Sequence, residues 1–162
     1  MTEQAQIILD LINARGISYE IAEHQAVYTI EEMLAANLPH PECIAKNLFV
    51  RDDKKKNYYL LVVREEKRVE LKVFRKRMGL RPLTFASEED LGRILKLSRG
   101  SVTPFGILND EERIVKVFID ADFQNSLMGI HPNVNTATVW LPAEELMKLL
   151  KEHGNEAEFV EI

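Results

Sequence analysis

Three short stretches of the chain carry side chains that could bind a polar substrate. The densest is residues 129–138, where a glycine is followed by one histidine, two asparagines and two threonines: His131, Asn133, Asn135, Thr136 and Thr138. Loops often carry chemistry, because a rigid scaffold holds them while their backbone amides stay free. These side chains offer both donors and acceptors, and Gly129 permits close approach of the backbone. The stretch therefore predicts one wall of a polar ligand site.

The second and third stretches are a lysine-asparagine pair and a glycine-rich loop. Lys46 and Asn47 lie inside the apolar run 44–50, where a lysine either extends to solvent from a sheet edge or points into a polar site. In the loop 99–106 two glycines and a proline constrain the path, while Ser101 and Thr103 offer hydroxyls. The loop lacks the Gly-Lys-Ser/Thr ending of a phosphate-binding P-loop, so we interpret it as a ligand wall.

No metal, cofactor or disulfide is expected. Cys43 is the one cysteine, and no base accompanies it in sequence, which disfavours a cysteine nucleophile. His24, His40 and His153 lie far apart in sequence, with no carboxylate at ligand spacing.

The net charge of -5 hides a strong asymmetry along the chain. Residues 51–81 contain twelve Lys or Arg and five acids, which makes this segment +7 and the remainder -12. Such a basic patch on an acidic protein suits a limited contact with a phosphate backbone. The alternative is a well-solvated hairpin and helix.

The elements that must position these residues follow from hydrophobic periodicity. Helices are predicted over about 2–15, 29–36, 69–78, 88–97 and 142–153, and strands over 17–21, 44–50, 58–63, 114–119, 139–141 and 159–160. Residues 52–57 form a charged hairpin tip. Short strands joined partly by hairpins and partly by helices indicate an α+β domain with a mixed or antiparallel sheet, or a barrel. We expect one domain over residues 1–162.

The expected cellular location follows from two patterns that the sequence lacks. The chain has no apolar run near the roughly 20 residues of a membrane helix and no signal-peptide pattern. We therefore expect a cytoplasmic protein with no membrane partner.

Several motifs, in order, resemble the YbaK/ProX prolyl-tRNA editing family. They are residues 45–50 (AKNLFV), Lys72, residues 83–87 (LTFAS), 100–106 (GSVTPFG), 129–132 (GIHP) and 135–138 (NTAT). The resemblance covers nearly the whole chain. The lysine-asparagine strand and the histidine loop are similar to the free-standing branch that deacylates alanyl-tRNA(Pro).

The resemblance implies a curved, mostly antiparallel sheet wrapped by helices, and a hydrolase that corrects a charging error. A synthetase pocket shaped for proline cannot fully exclude alanine, because a few missing methylenes change binding by only about 1–3 kcal/mol. A second site that admits small residues and excludes proline completes a double sieve. The implied partners are tRNA(Pro) charged with alanine and, as a candidate, prolyl-tRNA synthetase.

The resemblance also assigns roles to residues. Lys46 is expected to fix the substrate carbonyl or the terminal phosphate, and His131 to position water, the substrate amine or the terminal ribose. Substrate contacts are expected at Asn47, Gly100, Ser101, Thr103, Gly129, Asn135 and Thr136. Contacts with tRNA are expected at Lys54, Lys55, Lys72, Arg75, Lys76 and Arg81. The structural alternative is that His131, Asn135 and Thr136 only stabilise a turn.

Two other functions stay open at this point. The substrate could be cysteinyl-tRNA(Pro) or another small-amino-acid ester. The chain could also be a non-catalytic module that binds the acceptor end or a synthetase. The sequence does not indicate an oligomeric state.

Overall fold

The computed structural model describes residues 2–26 and 28–162, leaving out the side chains of Ile30, Met33 and Leu34. Within these residues the α-helices are α1 (Glu3–Ala14), α2 (Ile30–Ala35), α3 (Leu71–Met78), α4 (Glu88–Asp90) and α5 (Ala143–His153). The strands are β1 (Glu20–Glu23), β2 (Ala45–Asp52), β3 (Tyr58–Arg64), β4 (Leu83–Phe85), β5 (Val115–Asp120), β6 (Leu127–Ile130), β7 (Ala137–Pro142) and β8 (Ala157–Val160). None of the helices in this part of the chain is long and apolar enough to cross a membrane.

The strands form two sheets. The first has the order β1-β7-β6 and is antiparallel, and the second has the order β4-β2-β3-β5-β8. In the second sheet β3, β5 and β8 pair in parallel, whereas β2 pairs antiparallel with both β3 and β4. The predicted α+β class with mixed, mostly antiparallel pairing is confirmed. The barrel alternative is wrong, because within the described residues neither sheet joins its two end strands.

The β2–β3 hairpin fixes which side chains face which layer. Phe49, Tyr58 and Leu60 pack into the main core, together with α1, α5 and the smaller sheet. Val50 and Leu61 lie on the other face, in a second core that includes Phe74 of α3. Side chains alternate along a strand, so each residue of β2 belongs to one of these two layers.

A single bridge joins the sheets beside β2. Ile44 forms an isolated parallel bridge with Gly129 of β6. Farther along β2, pairing with β4 begins at Val50, and the Ala86 amide donates to the Phe49 carbonyl. Residues 46–48 therefore lie in a gap, with β3 on one side and no strand on the other within the described residues.

Some predicted boundaries are wrong for local reasons. The first strand starts at Glu20 rather than residue 17, because the Ile17 amide still donates to the Ile12 carbonyl at the end of α1. The helix predicted over 88–97 is one α-turn followed by a π-turn, Leu91–Leu95, which ends at Lys96 with φ +57°. Pro142 caps α5 from outside instead of occupying its first turn.

Candidate functional site

The histidine stretch is a hairpin tip rather than a free loop. Gly129 belongs to β6, and Ala137 and Thr138 belong to β7, so only residues 131–136 connect the two strands. The tip is closed by a 2.9 Å hydrogen bond between His131 Nδ1 and the Ala137 carbonyl oxygen. Asn133 adopts φ +61° within it, a conformation that asparagine tolerates better than most residues. The turn role considered for His131 is therefore present in the structure.

The same hydrogen bond fixes the chemistry of the other ring nitrogen. A carbonyl oxygen only accepts, so Nδ1 carries the proton, and Nε2 of the neutral ring presents a lone pair. Burial lowers the pKa of His131 below its ordinary 6.5; the bond to Ala137 opposes this shift and the charge of His24 adds to it. At neutral pH His131 therefore offers an acceptor.

His24 stands beside His131, although the two are far apart in sequence. The pairing of β1 with β7 brings their ring centroids to 6.0 Å. His24 Nε2 lies 2.9 Å from the Thr138 hydroxyl, and Nδ1 lies 2.8 Å from the Gln25 carbonyl oxygen. Sequence reasoning missed His24 as a neighbour of His131 and Thr138, because no local pattern indicates this long-range strand pairing.

The three predicted stretches are joined by hydrogen bonds. The Thr103 hydroxyl donates to the His131 carbonyl oxygen over 2.6 Å. The Asn47 side-chain amide donates to the Val102 carbonyl oxygen over 3.3 Å. Thus β2, the glycine-rich loop and the histidine hairpin meet at one place, at the gap in the pairing of β2.

Asn47 has acceptor capacity to spare. Its Oδ1 is buried and has no hydrogen-bond partner among the described residues. Most buried polar atoms are satisfied in native proteins, so an orphaned one calls for an explanation such as a bound group. An ammonium, a hydroxyl or a water at this point would supply the missing donor.

Lys46 and Asn47 flank the gap from opposite sides. Lys46 is directly opposite Val63 on β3 and shares by alternation the face of Leu48 and Val50, whereas Asn47 faces the layer of Phe49. Lys46 is half-buried and has no ion pair within residues 2–26 and 28–162. Its positive charge is therefore available at the strand edge.

The charge of Lys46 acts on the Glu65 carboxyl group. Burial of Glu65 and the negative charge of Glu66 raise its pKa, while the charge of Lys46 lowers it, and the net shift is upward. The Glu65 amide donates to the Ile44 carbonyl oxygen, which ties it to the start of β2.

The remaining predicted substrate contacts divide between two places. Ser101, Asn135 and Thr136 line a cleft of about 590 Å³. The Ser101 amide is already used, because it donates to the Ser98 carbonyl oxygen. Gly100 has φ +89°, and a Cβ there would lie 2.8 Å from the Tyr28 ring and 3.5 Å from Asn135 Nδ2.

Gly129 has a packing role. It lies opposite Trp140 on β7, and a Cβ at Gly129 would come within 2.6 Å of the indole Nε1. The indole is fully buried, and its Nε1 has no hydrogen-bond partner among the described residues. Glycine is required here because the indole occupies the space of a side chain.

The predicted tRNA contacts lie at the β2–β3 tip, on α3 and just after α3. Lys54 and Lys55 are exposed at the β2–β3 tip, and Lys72, Arg75 and Lys76 lie on α3. Arg81 forms a two-point ion pair with Asp53 at 2.6 and 3.0 Å, which joins the tip to the segment after α3. Arg81 is thus partly committed to a structural contact.

Within the described residues no group of three or more His, Cys, Asp or Glu side chains is arranged to hold a metal ion. The arrangement offers a neutral imidazole acceptor, a buried amide oxygen and a lysine charge, which together suit a polar substrate that has both an amine and an anion.

Comparisons with known proteins identify a family and relatives that match nearly the whole chain. The model of the aminoacyl-tRNA editing domain matches residues 24–149. The prolyl-tRNA editing protein ProX of Acetoanaerobium sticklandii is 40% identical over 158 residues, which cover 97% of this chain and 96% of that protein. The mouse (Mus musculus) prolyl-tRNA synthetase associated domain-containing protein 1 is 33% identical over 154 residues, 90% of this chain and 88% of its own.

A solved structure shares the fold. The crystal structure of a proposed trans-editing enzyme for prolyl tRNA synthetase superimposes with a TM-score of 0.76 at 21% identity, covering 99% of this chain and 97% of its own. From the domain match and the identity to ProX, the chain belongs to the aminoacyl-tRNA editing domain family, in its YbaK/ProX prolyl-tRNA editing group.

Proposed function

We propose that this aminoacyl-tRNA deacylase removes alanine from mischarged Ala-tRNA(Pro) and spares Pro-tRNA(Pro). The observation that carries the proposal is the junction of Asn47, Val102, Thr103 and His131 at the gap in β2. Within the described residues, this junction combines the His131 acceptor with an amide oxygen that has no hydrogen-bond partner, next to a lysine that forms no ion pair.

The substrate presents groups that match this set. An aminoacyl ester carries an α-ammonium, a carbonyl oxygen and, through the terminal nucleotide, a phosphate. His131 Nε2 and Asn47 Oδ1 are acceptors for the ammonium or for the attacking water. Lys46 would hold the carbonyl oxygen or the terminal phosphate. Because Lys46 and Asn47 lie on opposite faces of β2, the phosphate is favoured.

The reaction needs a placed water and stabilisation of the charge that develops on the carbonyl oxygen. Water adds to the carbonyl carbon, the bond to the ribose oxygen breaks, and that oxygen takes a proton, which yields free alanine and a terminal hydroxyl. The ester is already activated, so modest assistance suffices. A terminal ribose hydroxyl that takes part in the proton transfer would account for a site built from weak bases.

The basic residues of the β2–β3 tip and of α3 would receive the tRNA backbone. Lys54, Lys55, Lys72, Arg75 and Lys76 are the proposed phosphate contacts, with Arg81 as a secondary one because of its pairing with Asp53. The walls of the substrate site would be shaped by the remaining predicted contacts, Gly100, Ser101, Thr103, Gly129, Asn135 and Thr136. Residues 1–162 would act as one editing domain, in the cytoplasm and with prolyl-tRNA synthetase as a candidate partner.

The direct test is deacylation of tRNA(Pro) charged in turn with alanine, serine, cysteine or proline. The proposal expects alanine to be released with the highest kcat/KM and proline to be retained. Preferential release of cysteine or serine would reassign the amino acid while keeping the deacylase. Salt-sensitive tRNA binding without release of any amino acid above the spontaneous rate would instead indicate a binding module.

A further inference from the structure

Phe85 is an aromatic residue exposed in an unusual place. It is the last residue of the three-residue edge strand β4, and it lies opposite Val50. Val50 is fully buried under α3, whereas Phe85 is 61% exposed. Leaving most of a phenylalanine in water forgoes up to about 1.5–3 kcal/mol of burial, so its position invites a functional explanation.

The surroundings of Phe85 are cationic. α3 packs beside β4, and its sequence LKVFRKRM contains four basic residues and no acid. Within the part of the chain that the structure describes, Lys72, Arg75 and Lys76 form no ion pair, while Arg77 donates to the Glu161 carbonyl oxygen. Val73 on the same helix is 54% exposed.

Phe85 also shares a face with Lys46. Alternation along β2 places Lys46, Leu48 and Val50 on one face, and Phe85 extends that face across the strand pair at Val50. Val50 is four residue steps along the strand from Lys46, about 13 Å at roughly 3.3 Å per step. A strand of RNA whose terminal phosphate meets Lys46 would pass Phe85 a few nucleotides farther from the ester.

We propose that Phe85 is a stacking platform for a base of the single-stranded 3′ end of the tRNA. The proposal rests on the proposed function and adds a specific contact to it. An exposed aromatic ring beside unpaired cations is the combination that proteins use for single-stranded nucleic acids, because every base has a face to stack and every nucleotide a phosphate. Because α3 is positively charged, an RNA strand with its phosphates is a better partner for this surface than an apolar protein segment without acidic residues.

The test compares Phe85→Leu, which keeps an apolar side chain, with Phe85→Tyr, which keeps the ring. A stacked base contributes about 1–3 kcal/mol, so we expect Phe85→Leu to lose about tenfold or more in kcat/KM on Ala-tRNA(Pro). Phe85→Tyr should stay close to the parent protein. Ile7 is equally exposed, at 61%, on α1 across the sheet, and Ile7→Ala should have no effect.

Two altered substrates locate the contact. On alanyl-adenosine, which has no upstream base, Phe85→Leu should match the parent protein. The second substrate is Ala-tRNA(Pro) with one base removed at a single position near the 3′ end. At one such position, the parent protein should lose as much kcat/KM as Phe85→Leu loses on intact Ala-tRNA(Pro). Removing the same base should lower the kcat/KM of Phe85→Leu only slightly further.

Four outcomes would overturn the proposal or separate it from the proposed function. Equal rates of Phe85→Leu and the parent protein on Ala-tRNA(Pro) would overturn it, as would an equal loss on alanyl-adenosine. Loss of prolyl-tRNA synthetase binding with unchanged tRNA rates would make Phe85 a protein contact. If the parent protein released no alanine, the proposed function would fail, and the affinity for uncharged tRNA(Pro) would still decide whether Phe85 stacks on RNA.

Discussion

The hydroxyl of Thr103 donates a hydrogen bond to the backbone carbonyl oxygen of His131 over 2.6 Å. Thr103 is fully buried, and its hydroxyl also accepts from the Phe105 amide. One side chain therefore holds the glycine-rich loop against the histidine hairpin. This contact joins two segments, far apart in sequence, that both belong to the candidate site.

Replacing Thr103 by valine should loosen that junction. Thr103→Val keeps the shape but leaves the His131 carbonyl unpaired, which should lower the free energy of unfolding by about 1–3 kcal/mol. Alanine release should slow as well, because His131 loses its fixed position. Urea unfolding and single-turnover deacylation measure the two effects. Thr84→Val, at an exposed position of β4, is the control for stability, and an equal change there would argue against the junction.

Two replacements of His131 separate its turn role from its acceptor role. His131→Asn keeps a donor near the Nδ1 position for the Ala137 carbonyl but removes Nε2, whereas His131→Gln keeps a polar group near Nε2 and gives up the turn bond. We expect the asparagine variant to fold normally and to lose about a hundredfold in kcat/KM. The glutamine variant should be less stable but should keep more activity per folded molecule. The reverse pattern would mean that His131 serves only the turn.

The lowered pKa of His131 sets the sign of the pH dependence. The acceptor exists only in the neutral ring, so kcat/KM should be level above neutral pH and should fall as pH drops below the lowered pKa. In the unfolded chain the His131 ring takes up a proton near pH 6.5, whereas in the folded chain it does so only at lower pH. The contribution of His131 to the free energy of unfolding is therefore lost as the pH falls below about 6.5. A pH-rate profile of His131→Asn should lack this step, and persistence of the step in that variant would assign it to another group.

Lys46→Met should remove the proposed phosphate or carbonyl contact without unfolding the chain. Lys46 forms no ion pair within the described residues, so the free energy of unfolding should change by less than about 0.5 kcal/mol. The rate of alanine release should fall by about 10²-fold, as for other preorganised charge contacts. Lys148→Met, on α5, removes a lysine whose contact is to Glu145 and should be silent. Full activity of Lys46→Met would remove Lys46 from the mechanism.

Gly129 should tolerate no side chain. In Gly129→Ala the new methyl group would meet the Trp140 indole at 2.6 Å, and overpacking of this kind costs about 1–3 kcal/mol. Among the described residues, no atom lies within 4 Å of the position that a Cβ at Gly92 would take, so Gly92→Ala should leave stability unchanged or slightly raised. Thermal unfolding of the two variants makes the comparison, and equal melting temperatures would contradict the packing role.

Much of the fold could be predicted because its signals are local. The β2–β3 hairpin follows from two apolar runs around a charged tip, and the glycines after α3 and α5 adopt the positive φ values expected of helix ends. The α+β class follows from the mixture of hairpins and helices. The membership in the YbaK/ProX group, inferred from linked motifs, is confirmed by the family match and the identity to ProX.

The rest depends on long-range pairing, which periodicity does not encode. Nothing local places His24 beside His131, because that contact comes from the register of β1 on β7. Strand β6 is not predicted because it has only four residues and one of them is Gly129. The glycine is needed there because the Trp140 ring of the neighbouring strand fills the space of a side chain. The gap at Lys46 arises only because β4 pairs with β2 from Val50 onward. The site roles themselves remain predictions.

The measurement that tests the central claim most directly is single-turnover deacylation of Ala-tRNA(Pro) and Pro-tRNA(Pro) by the same preparation. The account predicts rapid release of alanine, release of proline no faster than the spontaneous rate, and loss of the alanine reaction in His131→Asn. Alanine release at the spontaneous rate, or equal release of both amino acids, would contradict it.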